Sequence, residues 1–363
     1  MIRHAFLLSL ACVVTAGAQS LIDLQSNGAV VQTAHLITFD GPGANQTYVS
    51  GVNNSGTVTG FYADNSGDHG FLRGLAGAFL TFDIHNAQSI YPDSINSGSA
   101  VAGNYTGANQ HAFMRTPDGA IELFDLPGSL PSSSGNPLAI NDSGFIAGAY
   151  FDGTTMHGFI RSAGGRLLTI DYPASTYTYA TDINNNGVVT GIWDDASYNQ
   201  HGFLRTADGQ WTSFDVPGNS FSPFFPPALS VNDNGGVTGS YFQGSAHGFT
   251  WQAGSPLVTF DVPGSSGTTP VAINANGAVA GSYQDASFNY HGFVRTSAGT
   301  ILTFSIPGAI GTYVVGINDN GVMAGWYQDA SYVSHGFVIV PTSTQLLRLA
   351  VEPPAHTAHE FAP

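Results

Sequence analysis

The sequence predicts an all-β fold built from one unit copied seven times, and three recurring landmarks carry that prediction. The triplet H-[GA]-F begins at His69, His111, His157, His201, His247, His291 and His335, at spacings of 42, 46, 44, 46, 44 and 44 residues. A Gly-rich turn opened by I/V-N places its asparagine at Asn53, Asn96, Asn141, Asn184, Asn232, Asn274 and Asn318. A strand end closed by an acid, mostly Phe-Asp, falls at Asp40, Asp83, Asp125, Asp171, Asp215 and Asp261, with Ser305 in the seventh slot. Three landmarks of equal copy number and fixed order, at a period of about 40–50 residues, are the signature of four-stranded β-propeller blades. The expected architecture is a seven-bladed propeller over residues 35–340.

Residues 1–18 read as a secretory signal peptide. They have a basic opening at Arg3 and His4, an apolar stretch from Ala5 to Ala16 and a small-residue site at Ala16-Gly17-Ala18. The apolar run is shorter than the roughly 20 residues a bilayer span needs. Export to the periplasm or the cell exterior is therefore expected, without membrane insertion. Cys12 falls within this peptide, so the mature chain has no disulfide or thiol chemistry. Residues 19–34 read as a short polar lead-in.

His35-Leu-Ile-Thr-Phe-Asp40 matches the last strand of a unit, with nothing of that unit before it, whereas the seventh unit lacks its last strand. One surplus strand at the start and one missing at the end predict closure. Residues 35–40 become the outermost strand of the last blade, and no long edge stays open. The strands of each unit are accordingly named D, A, B and C, with A nearest the axis. The Pro-rich tail, 341–363, carries His356-Thr-Ala-His359-Glu360 without a scaffold, and disorder is expected there.

The stretch Thr259–Phe304 shows the unit most clearly: four short apolar runs, with Asn276-Gly277 and Ala298-Gly299 where hairpin turns belong. The A strand carries small residues at Gly51, Ser94, Ala139, Ser230, Ala272 and Gly316, as a crowded centre requires. A glycine recurs in the B strand, from Gly60 to Gly325, and fits close backbone approach between neighbouring blades. In the C strand the His, Phe and usual Arg alternate and so share one face. Arg73, Arg115, Arg161, Arg205 and Arg295 fill five of those slots, and Trp251 and Ile339 the other two.

With these motifs in place, the chain resembles the bacterial HAF-family extracellular repeats over about residues 35–340: His111-Ala-Phe113 keeps the eponymous triplet and the other copies carry Gly. The resemblance implies an exported protein and brings no assigned reaction or catalytic residue.

Composition narrows the partners. Charged residues make up 9% of the chain, there is no lysine, and the net charge is −16. Nucleic acid and anionic membrane surfaces both need Lys and Arg, so neither is expected as a partner. The seven histidines sit one blade apart and cannot converge on one ion. Each is expected to bond within its own blade, with the Phe-Asp aspartate as its natural partner.

Function should lie where the repeats differ. With the order D-A-B-C, the D–A and B–C connections share one face, the top, and these vary. The D–A loop between Asp215 and Asn232 is enlarged and offers Phe221, Phe224 and Phe225 among prolines. The loop after Asp171 offers Tyr177 and Tyr179. Three B–C loops share Asp-Ala-Ser-aromatic: Asp195 to Tyr198, Asp285 to Phe288, and Asp329 to Tyr332. Aromatic faces beside hydrogen-bond acceptors suit sugar rings or extended peptides, and a monomeric glycan- or protein-binding propeller is the leading reading. The alternative is a polysaccharide-active enzyme using Asp93 and Asp182 as a carboxylate pair at the channel. A third is calcium bound by the B–C acids Asp64, Asp68, Asp194 and Asp195, although the EF-hand spacing is absent; otherwise no cofactor is expected.

Overall fold

A computed structural model of the chain describes residues 18–107, 109–127, 138–221 and 229–342. Alternating apolar residues and tight Gly turns make every repeat unit a meander of short antiparallel strands. At the A–B turn, for example, Gly187 and Gly277 adopt φ of 73° and 77°, which residues with a Cβ rarely reach. Among the described residues there is no α-helix, only a single 3-10 turn at Pro217–Asn219.

Five sheets have four strands each. The first is Gln46–Val52, Val58–Ala63, Asp68–Arg73 and Phe79–Phe82, in that order. The remaining strands form a nine-stranded sheet. One end of it is the set Gly267–Ile273, Val279–Gln284, Tyr290–Arg295 and Ile301–Phe304. The other end is Gly311–Ile317, Met323–Gln328 and Ser334–Pro341, with Ala29–Phe39 as its fourth strand. The last pairing runs from Ala34↔Pro341 to Phe39↔Gly336.

Phe39 and Asp40 occupy the places that Phe-Asp takes in other units. The Phe39 ring lies over Gly336, where a Cβ would come within 2.5 Å of it, and His335 Nδ1 meets Asp40 Oδ1 at 2.8 Å. The lead-in corrects the sequence expectation. Ala18–Ser26 is a strand, paired with Ala29–Phe39 and touching Ile301–Phe304 at Gln25↔Thr303, and it joins the two end sets into one sheet. Its apolar side, Ile22 and Leu24, packs on Leu302 and Phe304. The expected signal peptide falls outside the described residues except for Ala18, which opens this strand, and the tail falls outside them beyond Thr342.

The core repeats with the sequence. The phenylalanines of H-[GA]-F, from Phe71 to Phe337, are almost fully buried. Four of the five C-strand arginines lie over the D-strand aromatic of the preceding sheet, as Arg73 over Phe39 at 4.5 Å, Arg161 over Phe124 at 4.6 Å and Arg295 over Phe260 at 4.9 Å, while Arg205 lies over Trp211 of its own sheet. Trp251, in an arginine slot, stacks on Phe214 at 4.3 Å and does the same work without charge. The recurrent B-strand glycine also needs a correction. A Cβ at Gly60 would stand 2.0 Å from the carbonyl oxygen of Tyr48, so the close approach is to the bulged A strand of its own unit.

The A strands line a central cavity of about 380 Å³, and the small residues Gly51, Ser94, Ala139, Ser230, Ala272 and Gly316 all face it. At its lower end, each turn asparagine bonds twice. Asn184 Oδ1 accepts from the amides of Asn186 and Val188 at 3.0 and 2.9 Å, closing its own turn. Its Nδ2 donates to the backbone oxygen of Asn232, 2.8 Å away in the next unit. The same lateral bond runs Asn53→Asn96→Asn141→Asn184→Asn232→Asn274→Asn318, and Asn318 returns to Asn53 at 2.8 Å.

Phe39→Ala is expected to destabilise the fold by roughly 3–5 kcal/mol through the cavity it leaves, read as a shifted denaturant midpoint; an unchanged midpoint would contradict the packing of this strand. Asn184→Ala leaves buried amides and a carbonyl unpaired and should cost about 1–3 kcal/mol per orphaned group, measured in the same way.

Candidate functional site: the upper mouth of the channel

A strands start at the top and B strands end there, so the first residues of A and the last of B frame the upper mouth. Around one side of it, six half-buried rings form a continuous arc. Tyr290 meets Tyr313 at 4.9 Å between centroids, and Tyr313 stacks on Trp326 at 4.0 Å. Trp326 meets Tyr48 edge-on at 5.2 Å, Tyr48 stacks on Phe61 at 5.0 Å, and Phe61 meets Tyr91 at 5.3 Å. The sequence reading missed this arc. Its signal was a tyrosine at the third position of the A strand in four units (Tyr48, Tyr91, Tyr179 and Tyr313), which only an alignment of the A strands brings out.

Outside the arc stand the three B–C aromatics. Tyr198, Phe288 and Tyr332 are 78%, 69% and 70% exposed, and all three have φ of 61–64°. That left-handed conformation is unfavourable for a bulky residue and persists only when neighbours impose it. The imposing group is the loop aspartate. Asp195 Oδ1 accepts from the amides of Ser197 and Asn199 at 2.7 and 2.9 Å, and Oδ2 from Asn199 Nδ2 at 2.9 Å. Asp285 repeats this with Ser287 and Asn289, and Asp329 with Ser331 and Val333. In each loop the aspartate Oδ1 is engaged by loop amides, so these carboxylates position the rings.

Other expected site residues lie elsewhere. Phe221 is 2% exposed, edge-on to Phe214 and Phe249, and bridged to Tyr241 of the same sheet. Phe224 and Phe225 fall outside the described residues. Tyr179 is 1% exposed, and Tyr177 lies half-buried beside it at 6.2 Å. Neither belongs to an exposed loop; both are in the strand Tyr177–Ile183.

Asp93 and Asp182 line the channel as expected but are tied to backbone. Asp93 Oδ2 accepts from Asn104 Nδ2 at 2.7 Å and from the Leu138 amide at 3.2 Å. Asp182 accepts from the amides of Ile183 and Val231 at 2.8 and 2.9 Å. Each reaches the unit whose A strand is cut to two residues, Ala139–Ile140 or Ser230–Val231. The carboxylates take up amides that a longer strand would have paired, so both act as staples between units.

Six of the seven histidines face an aspartate at the D-strand end through Nδ1, at 2.6–3.1 Å. Each also stacks on an aromatic residue of its B strand, as His201 does on Trp193 at 4.4 Å. Asp64, expected among calcium ligands, accepts from the amide and hydroxyl of Ser66 and approaches His69. Among the described residues, no three His, Cys, Asp or Glu groups meet where an ion could sit, and no helix is long and apolar enough to cross a membrane.

No protein-family model and no curated protein sequence matches the chain. Solved structures do. A catalytically inactive virginiamycin B lyase from Staphylococcus aureus, crystallised with quinupristin, superposes with a TM-score of 0.57 at 17% identity, covering 84% of this chain and 99% of that one. The β-propeller domain of the Trilobed protease from Pyrococcus furiosus gives 0.50 at 11% identity, covering 77% and 92%. The class is thereby fixed: the chain is a β-propeller. At these identities the likeness speaks for the fold alone.

The titrating groups give the fold a pH optimum. Burial pushes the Asp93 carboxyl up to about 8 and raises Asp182 as well. Such groups hold their proton more tightly when folded, so their stabilisation is complete below the unfolded value near 4 and declines as pH rises through the folded one. Burial lowers His69 and His157, but their bonds to Asp83 and Asp64, and to Asp171 and Asp152, outweigh it and raise both. Their contribution is present below about 6.5 and fades above it. The Ser66 hydroxyl holds Asp64 near 2, and the Asn199 side chain holds Asp195 near 2. Those contributions are lost as pH falls from about 4. Melting temperature should peak between about pH 4 and 6, and Asp93→Asn should flatten its alkaline decline. A melting temperature that climbs steadily to pH 8 would contradict this assignment.

Proposed function

We propose that the chain is an exported, seven-bladed propeller of the HAF type, closed by the strand Ala29–Phe39, that binds carbohydrate at its upper mouth. The closed cycle of asparagine bonds and the His335–Asp40 pair support the ring. The aromatic arc from Tyr290 to Tyr91 is the observation that carries the ligand class. Half-buried rings held by their neighbours present flat apolar faces at little ordering cost, which suits stacking against sugar rings. Phe288 and Tyr332, in units that contribute to the arc, add exposed rings fixed by their aspartates.

A saccharide is favoured over a hydrolysed substrate at this mouth because Asp93 and Asp182, the carboxyls that line the channel, are engaged with backbone amides. The protein should retard in gels containing a soluble polysaccharide, without releasing products. Trp326→Ala should weaken that affinity about tenfold or more, equivalent to ~1.4 kcal/mol, and Phe288→Ser should weaken it less, with the melting temperature of Phe288→Ser unchanged. Retention by immobilised peptides but by no polysaccharide would replace the saccharide with an extended peptide, and wild-type affinity in Trp326→Ala would remove the arc from the site.

A further inference from the structure

Six units oppose their histidine with a carboxylate; the unit 267–304 opposes His291 with a hydroxyl. Ser305 Oγ lies 2.7 Å from His291 Nδ1, and on the other side of the ring His291 Nε2 lies 3.1 Å from Asp285 Oδ2. A hydroxyl, an imidazole and a carboxylate in line are the arrangement that activates a serine nucleophile. From these contacts we propose that Ser305, His291 and Asp285 form a second, catalytic site, an esterase centre acting on short-chain carboxylic esters.

The tautomer follows from the partners. A carboxylate can only accept, so the ring hydrogen belongs on Nε2, facing Asp285. The Asn289 amide and side chain, with His291 itself, keep Asp285 well below the usual carboxylate range and therefore ionised. The neutral ring then turns the lone pair of Nδ1 toward Ser305, whose hydroxyl donates to it. In the six other units a carboxylate at that place demands the opposite hydrogen position or a charged ring, and no nucleophile is available. Relative to the serine hydrolases the two ring nitrogens exchange roles, while the relay of bonds is the same.

The substitution coincides with a second departure from the repeat. The strand Ala18–Ser26 runs beside the outer strand of this unit, and between them lies a cavity of about 350 Å³. Ser305 is exposed and His291 is about a quarter exposed. Both line the cavity, together with Leu21, Tyr283 and Pro307, a mixed wall suited to a short acyl group. Gln25 lines it too and carries a side-chain amide, the type of donor that steadies an oxyanion.

The chemistry balances with water as the only co-reactant. Ser305 Oγ passes its proton to His291 Nδ1 and bonds to the ester carbonyl carbon, whose π pair moves onto oxygen. Collapse restores the carbonyl, breaks the bond to the alkoxy oxygen and returns the proton from His291 to the departing alcohol. Water repeats the sequence on the acyl-serine, giving the carboxylic acid and free Ser305.

The test uses the whole protein, a fluorophosphonate probe and p-nitrophenyl acetate and butyrate. The expected result is a fluorophosphonate adduct mapped by peptide mass spectrometry to Ser305. Ester turnover should fall at least about 100-fold in Ser305→Ala. Ser305→Asp is the decisive variant, because it restores the pair present in the six other units and should keep the wild-type melting temperature while abolishing adduct and turnover. Absence of both adduct and turnover in the wild type, an adduct only on other serines, or turnover within twofold of wild type in Ser305→Asp would each overturn the proposal. None of these outcomes bears on saccharide binding at the mouth.

Discussion

The structure depends most on what seven buried asparagine carboxamides must do at the narrow end of the channel. Each is 3–8% exposed, and a buried amide left unpaired is costly. One side chain meets both demands: its oxygen closes the turn that ends its own A strand, and its nitrogen reaches the neighbouring turn. Local turn geometry and lateral packing thereby become one condition. A unit that twisted away from its neighbour would orphan groups in two places. The acids and amides one residue further on add an outer belt, such as Ala275 to Asp319 at 2.8 Å and Asp319 to Asn54 at 3.1 Å.

At the opposite end the repeat is free to vary, and the variation is lopsided. The position that holds Phe61 and Trp326 is filled by Asn104, Ala149, Ile192, Ser240 and Ser282 in the other five units. The arc runs through the units of Tyr290, Tyr313, Tyr48 and Tyr91, and the three units on the other side add no ring to it. The fold tolerates this because the hydrogen bonds that define the ring lie at its base. At three of the loop tips the aspartate cages hold Tyr198, Phe288 and Tyr332 in left-handed backbone.

Between base and mouth, the histidine positions show how a structural device becomes reactive. With no lysine in the chain and five of its arginines laid over aromatic rings, many acids find their partner in an imidazole or a backbone amide. Replacing one acid by a hydroxyl, as at Ser305, leaves the packing alone and inverts the hydrogen-bond direction. The repeat supplies the scaffold, and a single substitution supplies the chemistry.

The sequence alone determined the strand order, the unit boundaries and the residues that face the centre, because each follows from spacing: His, Asn and Asp return at the same offsets, and small residues mark the A strand. It also singled out Tyr198, Phe288 and Tyr332, whose Asp-Ala-Ser-aromatic loops are a local pattern. It could not separate a ring that points outward from one that folds in. Phe221 and Tyr198 look alike in a loop, but the first has Phe214 and Phe249 beneath it and the second has a carboxylate holding it away from any surface. Nor could it read Asp93 and Asp182 as staples, since the amides they bind come from other units, 45 and 49 residues away. The arc from Tyr290 to Tyr91 joins rings from strands that are neighbours only once the sheets stand side by side. Contacts between units depend on how the sheets pack, and only the tertiary structure decided them.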